Sequence, residues 1–235
     1  GAACRRAAMR FNDQMKDAGS ALPQSGRFDV ASADETRFYE VVVSPVAGVF
    51  DEPDPAHPSE GRLWWMLTPS SKPDRQFRVL QGKPTPSPGL AIAAGDRPDA
   101  YDFQEAGKPV LRYNHGTVPV PDGIGTNYAR GDYIMPLFGP AGELLTDDYP
   151  KDHPHHRGLG WSWPVTRWKD EVRDIWAVVG VWSRPVAIRR KETGPVFALI
   201  EAENVWKWGD VTNIVKEEVR LQVFRASSSS SSTLL

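Results

Sequence analysis

The chain has 235 residues, long enough for one large domain or two small ones with a real core. A formal net charge of -2 gives no electrostatic case for nucleic acid or an anionic membrane surface, and a single cysteine, Cys4, excludes an intrachain disulfide framework and a multi-cysteine zinc site. No run reaches the roughly 20 apolar residues of a membrane helix, while 9 tryptophans, 21 prolines and 20 glycines favour short strands, many turns and aromatic faces.

Residues 1–26 read as an N-terminal extension carrying a short helix, with Met9, Phe11 and Met15 along one side and a break at Gly19 to Gly26. From Arg27 the pattern is that of strands. Phe28–Val30 and Arg37–Val43 are rich in aromatic and β-branched residues, residues 51–61 form an acidic, proline-rich loop, and Leu63–Leu67 and Gln76–Leu80 are further strands. Asp102–Gln104 and Val110–Tyr113 flank a hairpin turn at Glu105–Lys108, followed by a loop from Val118 to Asp132 and a brief strand over Tyr133–Phe138. Leu159–Val165, Ile175–Ser183, Val186–Arg190, Pro195–Trp208 and Val211–Phe224 then read as antiparallel strands. Helical periodicity is absent after residue 20. The expected fold is mainly β: an antiparallel β-sandwich over 27–226, followed by a serine-rich tail over 227–235. A strand as strong as 211–224 calls for a partner beyond it, so the tail reads as a truncated or altered C-terminus whose exposed sheet edge could support an oligomer.

Between residues 144 and 163 the sequence concentrates its chemistry. Asp147, Asp148, Asp152, His153, His155, His156 and Arg157 lie on one long loop, the kind of segment that carries function, and Trp161 and Trp163 follow it. In extended backbone His153 and His155 share a side and His156 faces away. Such a pair could ligate a divalent metal, with Asp152, Asp148 or His115 as a third ligand. The same imidazoles could instead act as general acid and base, or bond sugar hydroxyls with the aspartates as acceptors. The bland alternative is that Asp152 and Arg157 pin a proline-rich loop. Arg112 at a strand end could hold an anionic group or simply brace its strand; Tyr113 reads as core, with His115 on its side. Trp161 with Trp163, and Trp206 with Trp208, alternate onto single faces that suit either a sugar-stacking cleft or a core. Glu201 and Glu203 share a face, as an acid/base pair or, more simply, as a solvated strand surface. No phosphate loop, dinucleotide fingerprint, nucleophile elbow or cysteine nucleophile is present.

Three stretches together resemble the bacterial methane oxygenase PmoA family: Pro109–Gly116, Tyr133–Leu137 and above all Gly142–Gly158, with weaker support at Arg62–Trp65 and Arg75–Leu80. The resemblance runs from Arg27 to Phe224. It implies a soluble bacterial protein, cytoplasmic or periplasmic, with a supersandwich fold similar to galactose-mutarotase-like proteins and a carbohydrate as its partner. On that reading His153, His155, His156, Asp152 and Arg112 would be catalytic. His115, Tyr113, Asp148, Arg157, Trp161 and Trp163 would bind substrate, and His153 and His155 would hold any divalent metal. The expected activity is that of a sugar hydrolase, lyase or epimerase, the alternatives being a non-catalytic carbohydrate-binding or assembly module and, last, a metal-dependent oxygenase.

Overall fold

The computed structural model describes residues 89–194 and 196–225 in full, together with the backbone of five N-terminal strands within 25–80 and of a last strand at 233–234. The chain divides into two compact units, Gly1–Pro86 and Ser87–Leu235, so the expected sandwich over 27–226 spans both. The expected helix near the N-terminus lies outside the described residues.

The first unit contributes two small antiparallel sheets. One pairs β1 (Ser25–Ala31) with β5 (Asp74–Leu80); the other has the order β2 (Arg37–Val43), β4 (His57–Leu67), β3 (Pro53–Asp54). The aromatic and β-branched runs thus form strands where expected. The region 51–61 does not stay a loop, since β4 begins at His57 and β3 folds back on it.

The second unit is built from two four-stranded antiparallel sheets. The first is a meander of β6 (Leu90–Ala94), β7 (Ala100–Glu105), β8 (Lys108–Asn114) and β9 (Tyr133–Leu137). The β7–β8 hairpin turns at Ala106–Gly107, both at positive φ (49° and 79°), as a tight two-residue loop requires. The second sheet orders β12 (Val181–Glu192), β13 (Phe197–Trp208), β14 (Thr212–Phe224) and β15 (Thr233–Leu234). A small hairpin of β10 (Thr166–Trp168) and β11 (Glu171–Arg173) precedes it. Among the described residues the helical content is one 3-10 turn, Thr126–Tyr128, and no helix is long and apolar enough to cross a membrane.

The two large sheets pack face to face. Leu90, Phe103, Leu111, Tyr113 and Ile134 of the first meet Ala198, Ile200, Ala202, Leu221 and Val223 of the second in one buried cluster, so the fold is a mainly β sandwich. The burial of β13 explains its central place. Residues 197–200 are all buried, and from Ala202 to Trp208 burial alternates with the period of two that a half-covered strand shows.

Three strand expectations change. Leu159–Val165 is no strand: Leu159 makes one bridge to Ile134, and regular pairing resumes only at Thr166. Ile175–Gly180 is a turn closed by Val179 N–H donating to Asp174 O at 2.8 Å, because Val178 and Gly180 take positive φ and β12 starts at Val181. The strand 211–224 does find a partner beyond it, over the two residues of β15.

Candidate functional site

The histidine loop is fastened by one guanidinium. Arg157 is fully buried at its side chain, donates Nε to Asp148 Oδ1 and Nη2 to the Tyr133 hydroxyl, and gives Nη1 to Tyr128 O at 2.9 Å. Its guanidinium also lies 3.6 Å from the ring centroid of Tyr149 and 4.7 Å from that of Tyr133. A planar five-donor fork is what such a convergence of carboxylate, carbonyl, hydroxyl and aromatic faces demands. Asp148 and Arg157, expected to bind substrate, therefore bind each other. Asp147 is likewise committed to the loop, accepting from Asp148 N–H at 2.8 Å.

Held this way, residues 150–156 form successive turns rather than an extended segment: His153 N–H donates to Pro150 O at 3.0 Å and His156 N–H to His153 O at 2.9 Å. The alternation that would have separated His156 from its neighbours is lost. All three imidazoles gather instead. His153 and His156 stack at 4.9 Å between centroids, His155 stands edge-on to His156 at 4.5 Å, and Trp176 from the following turn lies 4.7 Å from His155 and 5.2 Å from His156. His153 Nδ1 faces the Asp152 carboxylate at 3.0 Å, a contact that orients the His153 ring. A backbone hydrogen bond, followed by the His153 charge, holds the Asp152 carboxyl below the ordinary carboxylate value. His155 Nε2 is turned inward with no hydrogen-bond partner. Desolvation, followed by the neighbouring His156 and His153 charges, lowers the His155 pKa and favours its neutral form.

The donor geometry does not assemble a metal centre from these residues. Rings stacked on one another cannot all aim a lone pair at one ion, and among the described residues no group of three His, Cys, Asp or Glu side chains is placed to hold a metal.

Other expected site residues are spoken for elsewhere. Arg112 braces β8 against its neighbours, giving Nε and Nη2 to Asp102 at 2.6 and 3.0 Å and Nη1 to Asp96 at 2.7 Å. Trp206 and Trp208 are core, packed with Ile175 and Val181. Glu201 and Glu203 face outward and pair with Arg220, and with Arg189 and Lys216. Trp163 is 49% exposed and free to meet a ligand.

Tyr113, His115 and Trp161 belong to a second constellation that the sequence did not single out. Gly131 makes it possible: a Cβ there would stand 2.6 Å from His115 O and 2.7 Å from Gly116 O, so only glycine lets the chain run this close to the end of β8. Asp132 follows at φ 61° and is completely buried. Its carboxylate accepts from Tyr113 Oη at 2.8 Å and Ser183 Oγ at 3.4 Å. It also meets the carboxyl of Glu217, which accepts from Trp161 Nε1 at 2.7 Å and Asn204 Nδ2 at 3.3 Å. Burial, then the hydrogen bond and charge of Asp132, push the Glu217 pKa up to about 8. Two carboxyls in contact cannot both ionise cheaply, so the pair shares a proton near neutrality. Burial and the adjacent Asp132 likewise raise the Tyr113 phenol, which stays protonated as a donor. His115 is buried beside it, its Nε2 3.2 Å from Glu203 O.

Strand parity would have found this cluster. Asn204 has the parity of Ala202, Trp206 and Trp208 on β13, Glu217 that of Leu221 and Val223 on β14, and the two stand directly opposite in register. Glu201 and Glu203 have the opposite parity and pair with the basic side chains Arg220, Arg189 and Lys216.

The model of a family described as a family of unknown function (DUF6807) matches residues 100–235, more than half of the chain. The chain belongs to that family. The DUF6807 match begins with β7 and takes in both the histidine loop and the Asp132–Glu217 pair. No curated protein and no solved structure matches the chain.

Proposed function

We propose that this DUF6807 protein is a carbohydrate-active enzyme, a hydrolase, lyase or epimerase, in which the histidine loop performs proton transfer. The observation that carries the reading is the imidazole cluster itself: His155 held neutral beside His156, and His153 oriented by Asp152, on a loop fixed by Arg157. A neutral imidazole accepts a proton at physiological pH, and a carboxylate-paired one returns it, which is the division of labour that acid–base chemistry at a sugar carbon needs. Exposed indoles of Trp163 and Trp176 supply flat apolar faces for a pyranose ring. The resemblance to the methane oxygenase PmoA family and the kinship with mutarotase-like supersandwiches stay part of this proposal. Oxygenase chemistry has less support, because it asks for a ligand set that the stacked imidazoles do not form.

A glycan and glycoside activity screen, run with and without chelator, tests the reading. On any substrate found, His155→Ala should reduce kcat/KM on the order of a hundredfold or more; a fully active variant would remove His155 from the chemistry. The second reading, a non-catalytic carbohydrate-binding or assembly module, draws on one observation. Leu144, Leu145, Leu159, Trp163, Val165 and Trp176 are each more than 40% exposed along one segment of chain, and large exposed apolar groups mark contact surfaces. Binding without turnover across the screen would favour it.

A further inference from the structure

We propose that Arg130, Asn204 and the Asp132–Glu217 pair, lying beneath Gly160 and Trp161, form a seat for a hydroxyl group of a neutral sugar or polyol. The inference rests on reading the protein as carbohydrate-active and gives that reading a substrate class and a place for the ring.

Three polar atoms of this constellation are buried without a partner: His115 Nδ1 beside Tyr113, and two that flank the carboxyl pair. Arg130, 5% exposed, has Nη2 unbonded, and Asn204, 0% exposed, has Oδ1 unbonded. Leaving such groups unmade is costly, and a cluster that is otherwise closely bonded has a reason to keep them. Both belong to the surroundings of one carboxyl: Asn204 bonds Glu217 Oε2 through its other amide atom, and Arg130 interacts electrostatically with both Asp132 and Glu217. They also need opposite things. Arg130 Nη2 is a donor and wants an acceptor, whereas Asn204 Oδ1 is an acceptor and wants a donor. A hydroxyl, or two on adjacent carbons, supplies both functions.

Charge selects against an acid. The carboxyl pair holding one proton carries a single negative charge, which offsets Arg130, so the seat is balanced before a ligand arrives. Arg157, a described cation that acts on Arg130, is already bonded to Asp148. A ligand carboxylate could not donate to Asn204 and would add a negative charge beside Asp132 and Glu217.

Gly160 marks the approach. It is exposed, and a Cβ there would stand 3.6 Å from Arg130 Nη2, so the absent side chain leaves the guanidinium just under the surface. The neighbouring Trp161, partly exposed and tied through Nε1 to Glu217, presents its indole beside that opening.

The Trp161 indole N–H reports on the seat directly. In 15N-labelled protein its resonance, identified by its disappearance in Trp161→Phe, is followed during titration with D-glucose, D-galactose, D-mannose and D-glucuronate. At least one neutral hexose should shift it saturably, with D-glucuronate weaker by about tenfold or more. Arg130→Gln should weaken binding by a similar factor. Gly160→Ala provides a variant whose added methyl sits at ordinary contact distance, so the fold is kept while the opening is filled; it too should weaken binding by about tenfold. A silent Trp161 across the neutral hexoses, equal or better binding of the uronate, or unchanged binding by Gly160→Ala would each overturn the inference. Failure of the wider reading looks different. Saturable Trp161 shifts without turnover of any sugar leave the seat standing and remove the catalysis, while His155-dependent turnover with a silent Trp161 does the reverse.

Discussion

Replacing Glu217 by Gln should alter how stability depends on pH more than it alters stability itself. With its pKa raised from the ordinary 4.5 to about 8, Glu217 holds a proton in the folded chain that it gives up in the unfolded one over that whole window. The folded state binds more protons at this site, so the contribution of Glu217 to stability is greatest below pH 4.5 and declines as pH rises towards 8. At about 1.4 kcal/mol per tenfold, the full displacement would amount to roughly 5 kcal/mol. Glu217 is partly open to solvent, and water screens it, which reduces the expected loss to about 2 kcal/mol. Glutamine keeps the shape and has no proton to lose: its amide can donate to Asp132 as the protonated carboxyl does, and its carbonyl can accept from Trp161. It gives up the 3.3 Å bond from Asn204, a cost of about 1 kcal/mol or less. Urea unfolding followed by tryptophan fluorescence at pH 5, 6, 7, 8 and 9 should therefore show curves that cross. Wild type should be equal or slightly more stable at pH 5, and the variant more stable by about 1–2 kcal/mol at pH 9. Parallel curves, or a wild type that gains stability between pH 5 and 8 relative to Glu217→Gln, would refute the shared-proton account of Asp132 and Glu217.

Arg157→Lys should cost about 3 kcal/mol or more, because a point-charged ammonium cannot replace a fork that serves Asp148, Tyr133 and Tyr128 O together and would leave buried acceptors unpaired; chemical denaturation measures it. Gly131→Ala should destabilise by about 2 kcal/mol or more, since the new methyl meets two backbone oxygens that have no room to withdraw, and its melting temperature should fall by several degrees. Arg112→Ala should cost about 1 kcal/mol through the loss of its bonds to Asp102 and Asp96, yet leave any sugar binding or turnover unchanged. A lost activity in that last variant would return Arg112 to the site.

Much of the architecture was legible from period and punctuation. Arg37–Val43, the β7–β8 hairpin and the long final strands could be read directly, because period-two alternation bounded by Gly, Pro or Asn signals has few other meanings. The segment Ile175–Ser183 misled because its apolar residues resemble a buried strand, while Val178 and Gly180 fold it into a turn for reasons that lie in Arg173, whose Nη1 donates to Gly180 O at 2.7 Å. The histidine loop was found as a cluster but its arrangement was not, since extended parity does not survive successive turns at 150–156. The Asp132–Glu217 pair escaped because its members are 85 residues apart, as the numbering in the sequence shows, and meet only when the two sheets close. A residue such as Glu217 looks like one more solvated charge in Lys216–Glu217–Glu218 until it is placed on the same face as Leu221 and Val223.

The fastening of the histidine loop has a consequence for how anything meets it. A segment whose buried guanidinium satisfies four separate groups has already surrendered most of its conformational freedom before a ligand appears. Association with such a surface resembles docking to a fixed template rather than folding around a guest, so the interface backbone should move little and the ordering cost should fall on the ligand alone. Amide hydrogen exchange across residues 148–158 would then be slow in the free protein and change little on saturation, a signature that separates a preformed imidazole surface from a lid.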